Sequence, residues 1–118
     1  MQDYRKLTVW QKAHQLTLDV YADSALYLTA RPAWPIRDQA QRAAISMTSN
    51  IAEGAGRSSN PDFRRFLFIS LGSTNELEYD LLLAKDLQFL PSLLHHRRTG
   101  QIEEVRRMLC RLAQTLTG

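Results

Sequence analysis

The chain has 118 residues, 44% of them hydrophobic and 23% charged, with one cysteine and a net charge of +3. That is the make-up of one globular domain (residues 1–118) with a core of its own, and it excludes a disordered or fibrous chain. A lone cysteine excludes a disulfide framework and a cysteine-based zinc site, so Cys110 reads as a small buried hydrophobe.

Apolar residues recur with helical spacing almost throughout, and no stretch alternates with period two. The first segment runs from about Leu7 to Leu28. Leu7, Trp10, Ala13, Leu16 and Val20 form its stripe, with Leu18, Tyr21 and Ala25 beside it. No secretory signal precedes it and no window reaches the ~18 apolar residues of a membrane span, so a cytoplasmic location is expected. Arg31-Pro-Ala-Trp-Pro then forces a non-helical connection.

The second segment runs from about Ile36 to Glu53, where the small Ala43, Ala44 and Ser46 would let a neighbouring helix approach closely. Gly54 and Gly56 are expected to close it as left-handed C-caps. The third starts at Asn60 as N-cap, followed by Pro61 at the first helical position and Asp62 at the positive end of the dipole. It continues to about Phe89, before Pro91. The fourth runs from about Gln101 to Leu116, leaving residues 92–100 as a loop or an extra turn. Four amphipathic helices on short connections predict an all-α, antiparallel up-down-up-down four-helix bundle.

In the third helix, Phe66-Leu-Phe-Ile and Leu81-Leu-Leu are consecutive apolar runs. At ~100° per residue such neighbours cannot share one face. The helix is therefore either central or carries a second buried face. A four-helix bundle has no central helix, so the second reading is preferred, and it predicts contact with another subunit.

Chemistry is hard to find. None of the three histidines (His14, His95, His96) lies three or four residues from a carboxylate or another histidine, which argues against a metal site. None follows an arginine at the spacing used by helical ribonucleases. There is no Gly-x-Ser-x-Gly elbow, so no catalytic residue is assigned and no cofactor is expected. Asn50, Glu53, Ser73, Glu76 and Glu78 lie near small residues on the second and third helices. They read as buried or interfacial hydrogen-bonding groups that fix register, with a polar site at Glu53 and Glu76 as the alternative.

Charge is unevenly distributed. Residues 31–65 hold six arginines against three acids, residues 66–90 one lysine against four acids, and residues 91–118 five arginines against two acids. Arginine is the better phosphate fork of the two basic residues.

Leu7-x-Val-Trp-Gln-x-Ala, Gln39-x-x-Arg42-Ala-Ala-Ile-Ser, Asn50-Ile-Ala-Glu53-Gly54-x-x-Arg57, Phe66-Leu and Gly72-Ser73-x-x-Glu76-Leu-Glu78 together resemble the S23, or 23S rRNA-intervening-sequence, proteins. The resemblance covers about residues 4–90. It implies an antiparallel four-helix bundle assembled as a cyclic homo-oligomer, usually a pentamer, with no established enzymatic activity. Some members are encoded within insertions of the large-subunit rRNA gene, and a distant relative associates with nucleic acid. The expected function is a non-enzymatic scaffold that binds nucleic acid, RNA first, with a protein–protein adaptor as the alternative. The expected phosphate contacts are Arg57, Arg64, Arg65, Arg97, Arg98, Arg106, Arg107 and Arg111. Arg42, inside one of the family-like blocks, reads as structural.

Overall fold

A computed structural model describes residues 2–27 and 33–117, the side chain of Trp34 excepted. A short 3-10 turn at Tyr4–Lys6 leads into α1 (Thr8–Ser24), followed by α2 (Trp34–Ala55), α3 (Asn60–Asp86) and α4 (Ser92–Thr115). The helices lie side by side in a rod of about 52 × 20 × 20 Å.

Hydrogen bonds between side chains and facing helices set the register of the bundle. Thr17 meets Thr48 at 2.8 Å, and Gln41 donates to Ser24 at 3.1 Å, so α1 and α2 run antiparallel. Ser46 meets Ser73 at 2.7 Å while Ser70 donates to the Met47 carbonyl at 2.7 Å, which orients α3 against α2 in the same way. Arg64 reaches the Ala113 carbonyl and Arg106 reaches Glu78, so α4 runs back along α3. Lys12–Glu104 and Asp23–Arg98 close the square between α1 and α4. The connectivity is up-down-up-down, and α1 and α3, whose backbones do not approach each other among the described residues, stand diagonally.

The core forms where the four apolar stripes meet. Leu16, Val20, Met47, Ile51, Leu67, Leu77, Ile102, Val105 and Leu109 are fully enclosed. Each large aliphatic side chain removed from water stabilises the bundle by about 1.5–3 kcal/mol. The expected close approach is found at the small residues of α2. Ala43 and Ala44 are buried, and a methyl group added at Gly54 would lie 2.8 Å from Phe66 Cβ.

Several local expectations need correction. α1 stops at Ser24, four residues before Leu28, and the Arg31–Pro32 part of its connection lies outside the described residues. Pro35 is not part of that connection: it sits in the first turn of α2, where a missing N–H costs nothing. Gly54 lies within α2, and Gly56 caps it with φ −83°, so neither residue uses the left-handed region. Their value is absence of bulk beside α3. Ser59, not Asn60, is the N-cap of α3, its hydroxyl accepting from the Asp62 N–H at 3.3 Å. Residues 92–100 are not a loop: they are helical and form the first turns of α4. Cys110 is exposed, because the neighbouring Leu109 takes the core position.

Phe66-Leu-Phe-Ile divides as helical geometry requires. Phe66 and Leu67 are buried, whereas Phe68 and Ile69 are 49% and 40% exposed. Leu81 is buried and Leu82 exposed, so α3 carries a second apolar face that none of the described residues covers.

Candidate nucleic-acid interface

The eight arginines expected to meet phosphate fall into three environments. Around the α2–α3 connection, Arg57 pairs with Glu53 at 3.0 Å and approaches Asp62 at 3.7 Å. Arg65 also pairs with Asp62, at 2.9 Å. Both guanidinium groups rest on the Phe66 ring, 4.6 and 4.5 Å from its centroid. Arg64 donates through Nε to the Ala113 carbonyl at 3.3 Å and lies 4.8 Å from the Phe68 centroid. An open groove of about 760 Å³ runs past Arg64 and Arg65, over Phe68, Ile69 and Leu116. These cations face acids or rings of their own subunit.

Arg98 is removed from the interface. Its guanidinium donates to both Asp23 carboxylate oxygens, at 2.6 and 3.0 Å, and to Gln101 at 2.8 Å, with Asp19 3.5 Å away. Only 12% of the side chain is exposed. The hydrogen bonds to Asp23 raise its pKa above the ordinary arginine value. The cause of its inward turn is helical phase: with residues 92–100 helical, Arg98 is one turn before Ile102 and faces α1, while Arg97 turns out. Arg106 is also engaged, with Glu78 at 2.9 Å and Asn75 at 3.0 Å.

Arg97, Arg107 and Arg111 remain, all exposed on the outer face of α4 and without an ion-pair partner among the described residues. Arg107 and Arg111 are one turn apart, ~6 Å along the axis, and Arg97 lies ~15 Å further back. Glu103 interrupts the stripe, and Glu104 is paired with Lys12 at 3.5 Å. This face can hold a polyanion by charge, and α4 carries no Phe, Tyr or Trp for bases to stack on.

Of the family-like polar residues, Ser73 is the one whose hydrogen bond crosses the α2–α3 seam. Asn50 donates to the Ser46 carbonyl at 2.8 Å, and Ser46 bonds to Ser73. Glu53 and Glu78 are the partners of Arg57 and Arg106. Gly72 has no neighbour within 4 Å of where a Cβ would stand, so it packs against nothing in its own subunit. Glu76 is exposed and without an ion-pair partner among the described residues. The alternative polar site at Glu53 and Glu76 does not assemble, because Glu53 turns to Arg57.

Sequence reasoning missed Asp80. It is buried with one carboxylate oxygen unpartnered, and burial together with the charge of Glu76 pushes its pKa up to about 6. Tyr27, stacked on Phe89, is pushed up to about 12 by burial first and then by the charges of Asp23 and Asp80. The available signal was spacing: Ser73, Leu77, Asp80 and Ala84 form one inward stripe. Among the described residues no cluster of three or more His, Cys, Asp or Glu is arranged to hold a metal, and no helix is long and apolar enough to cross a membrane.

These features define an all-helical four-helix bundle whose fourth helix is basic. The chain belongs to the 23S rRNA-intervening sequence protein family, whose profile matches residues 5–111. A solved structure from Bacteroides thetaiotaomicron, described as a protein of unknown function from the S23 ribosomal protein family, has the same fold. It superposes with a TM-score of 0.83 at 21% identity, covering 90% of this chain and 98% of that one. Comparison with curated proteins gave no match.

Proposed function

We propose that the chain is a non-enzymatic homo-oligomeric scaffold that binds RNA through the outer face of α4. The observation that carries this reading is the set of three exposed arginines, Arg97, Arg107 and Arg111, without an ion-pair partner among the described residues. One subunit is a weak electrostatic attractor at +3, but copies in a ring add their charges, and a pentamer has five times that value. An RNA partner fits the family's link to rRNA insertions and the cytoplasmic location expected from the sequence. Contact through phosphates alone makes the binding insensitive to base sequence and steeply dependent on salt.

The test is RNA binding at two salt concentrations by the intact protein and by an Arg97→Glu, Arg107→Glu, Arg111→Glu variant. Three phosphate contacts per subunit account for about 2 units of the logarithmic salt slope on a single strand. The variant is expected to lose that slope and most of its affinity. An intact protein with no RNA affinity at low salt sinks the proposal and leaves the protein–protein adaptor.

A further inference from the structure

Phe68, Gly72, Asn75, Tyr79 and Leu82 follow one another at three- and four-residue steps along α3, with Ile69 at their edge. They form one outward stripe about 21 Å long. Tyr79 is 59% exposed, and Gly72 leaves a notch between Phe68 and Tyr79. A second apolar surface stands across the bundle, at the outer edge of the α1–α2 seam. Tyr21 lies between Thr17 and Ser24, both of which bond to α2, and Ile45 lies between Gln41 and Thr48, which bond to α1. Tyr21, Ile45 and the adjoining Leu18 are 44–49% exposed.

The hydrogen bonds fix how high each surface sits on the rod. Ser46 is level with Ser73, and Thr17 with Thr48. In the numbering of α3, Leu18 is then level with residue 72, Ile45 with 74 and Tyr21 with 75. The α3 stripe from 68 to 82 is centred at 75. Charge matches too. Arg42 and Glu76, both exposed and both without an ion-pair partner among the described residues, lie within one residue of the same height.

We infer that the α3 stripe of one copy docks on the Leu18–Tyr21–Ile45 surface of the next, with Arg42 meeting Glu76 across the junction. The inference rests on the homo-oligomer reading above. A two-fold dimer needs one self-complementary surface, whereas a head-to-tail contact needs two different ones, and this subunit displays two. With both centred at one height, copies standing parallel are turned but not raised, which is the arrangement of a ring and not of a filament when the rotation closes. The outer face of α4 belongs to neither surface and stays open to ligand.

Two variants separate the possibilities by light scattering. One carries Tyr79→Glu and Leu82→Glu, the other Leu18→Glu and Tyr21→Glu, with helical circular dichroism as the fold control. Each alone is expected to be a monomer of 13.5 kDa. An equimolar mixture is expected to form a species of twice that mass and nothing larger, because only one intact junction remains. If the α1 variant stays dimeric alone, pairing is two-fold through α3 and the inference is overturned. If both variants keep the parent mass, the surfaces are wrong although the chain is oligomeric. A monomeric parent protein removes the homo-oligomer reading itself, and this inference with it. Should a double variant unfold, Tyr79→Ser and Tyr21→Ser give the same mixing test. Arg42→Glu and Glu76→Arg should each weaken assembly and restore it when combined, and failure of that rescue removes the proposed ion pair.

Discussion

Replacing Gly54 with alanine probes the closest packing in the bundle. The new methyl group would stand 2.8 Å from Phe66 Cβ, 3.0 Å from Phe63 Cδ1 and 3.3 Å from the Phe63 carbonyl oxygen. Carbon atoms in good contact lie ~3.5–4.0 Å apart, so α2 and α3 must separate locally by about 0.7 Å. Phe66 Cβ and the Phe63 carbonyl are tied to the backbone of α3, so no side-chain rotation relieves the clash. Overpacking of this kind costs about 1–3 kcal/mol. Alanine in a helix interior returns about 1 kcal/mol relative to glycine. A net loss of up to about 2 kcal/mol is expected, lowering Tm by up to roughly 8 °C in a chain of this size. Gly100→Ala is the control. It is also helical, but nothing lies within 4 Å of the added methyl, so the propensity gain of about 1 kcal/mol should appear alone. Urea unfolding of both variants at one protein concentration is the assay. Equal stabilisation by the two substitutions would refute the close-packing account of Gly54.

Three further outcomes follow from particular groups. Asp23→Asn strips Arg98 of its charged partner inside the bundle and should destabilise by about 3–5 kcal/mol in thermal unfolding, whereas a loss below about 1 kcal/mol would mean the pair is effectively solvated. Asp80 has a folded pKa raised to about 6 from 3.8. The folded state therefore holds the proton more tightly than the unfolded one. The associated stability is complete below about pH 4 and lost as pH rises through about 6, and Asp80→Asn should flatten that slope by removing the titration. At pH 8 the same variant should gain about 1–3 kcal/mol, the cost of the unpartnered buried carboxylate, and an unchanged pH profile in chemical denaturation would contradict the burial of Asp80. Cys110 should react with one equivalent of a disulfide reagent in the native protein, and protection from it until denaturation would show that another copy covers α4.

The architecture was legible because it depends on periodicity. The stripes through Leu16, Met47, Leu67 and Leu109 are set by residue type at i, i+3 and i+4, and they survive errors of a turn at either end. Helix ends were less legible, since they turn on single groups. Ser59 and Asn60 are both acceptable N-caps, and only the direction of the Ser59 hydroxyl toward the Asp62 N–H decides between them. Gly54 read as a terminator because glycine commonly ends helices. Its role here is set by Phe63 and Phe66 on another helix, a contact that local sequence does not encode.

Charge was the least legible property, and the reason is geometric. An arginine-rich block records how many cations lie in a stretch of chain, whereas binding depends on which way each one points. Arg97 and Arg98 are neighbours in sequence and ~100° apart around α4, so one faces solvent and the other closes on Asp23. A buried carboxylate on α1 therefore decides the fate of Arg98, and a single aspartate gives no sign in sequence of being buried. The same logic explains why Glu76 and Arg42 stay unmatched within the subunit. Each sits on an outer face and has no ion-pair partner among the described residues, which leaves both available to an opposite charge on another molecule.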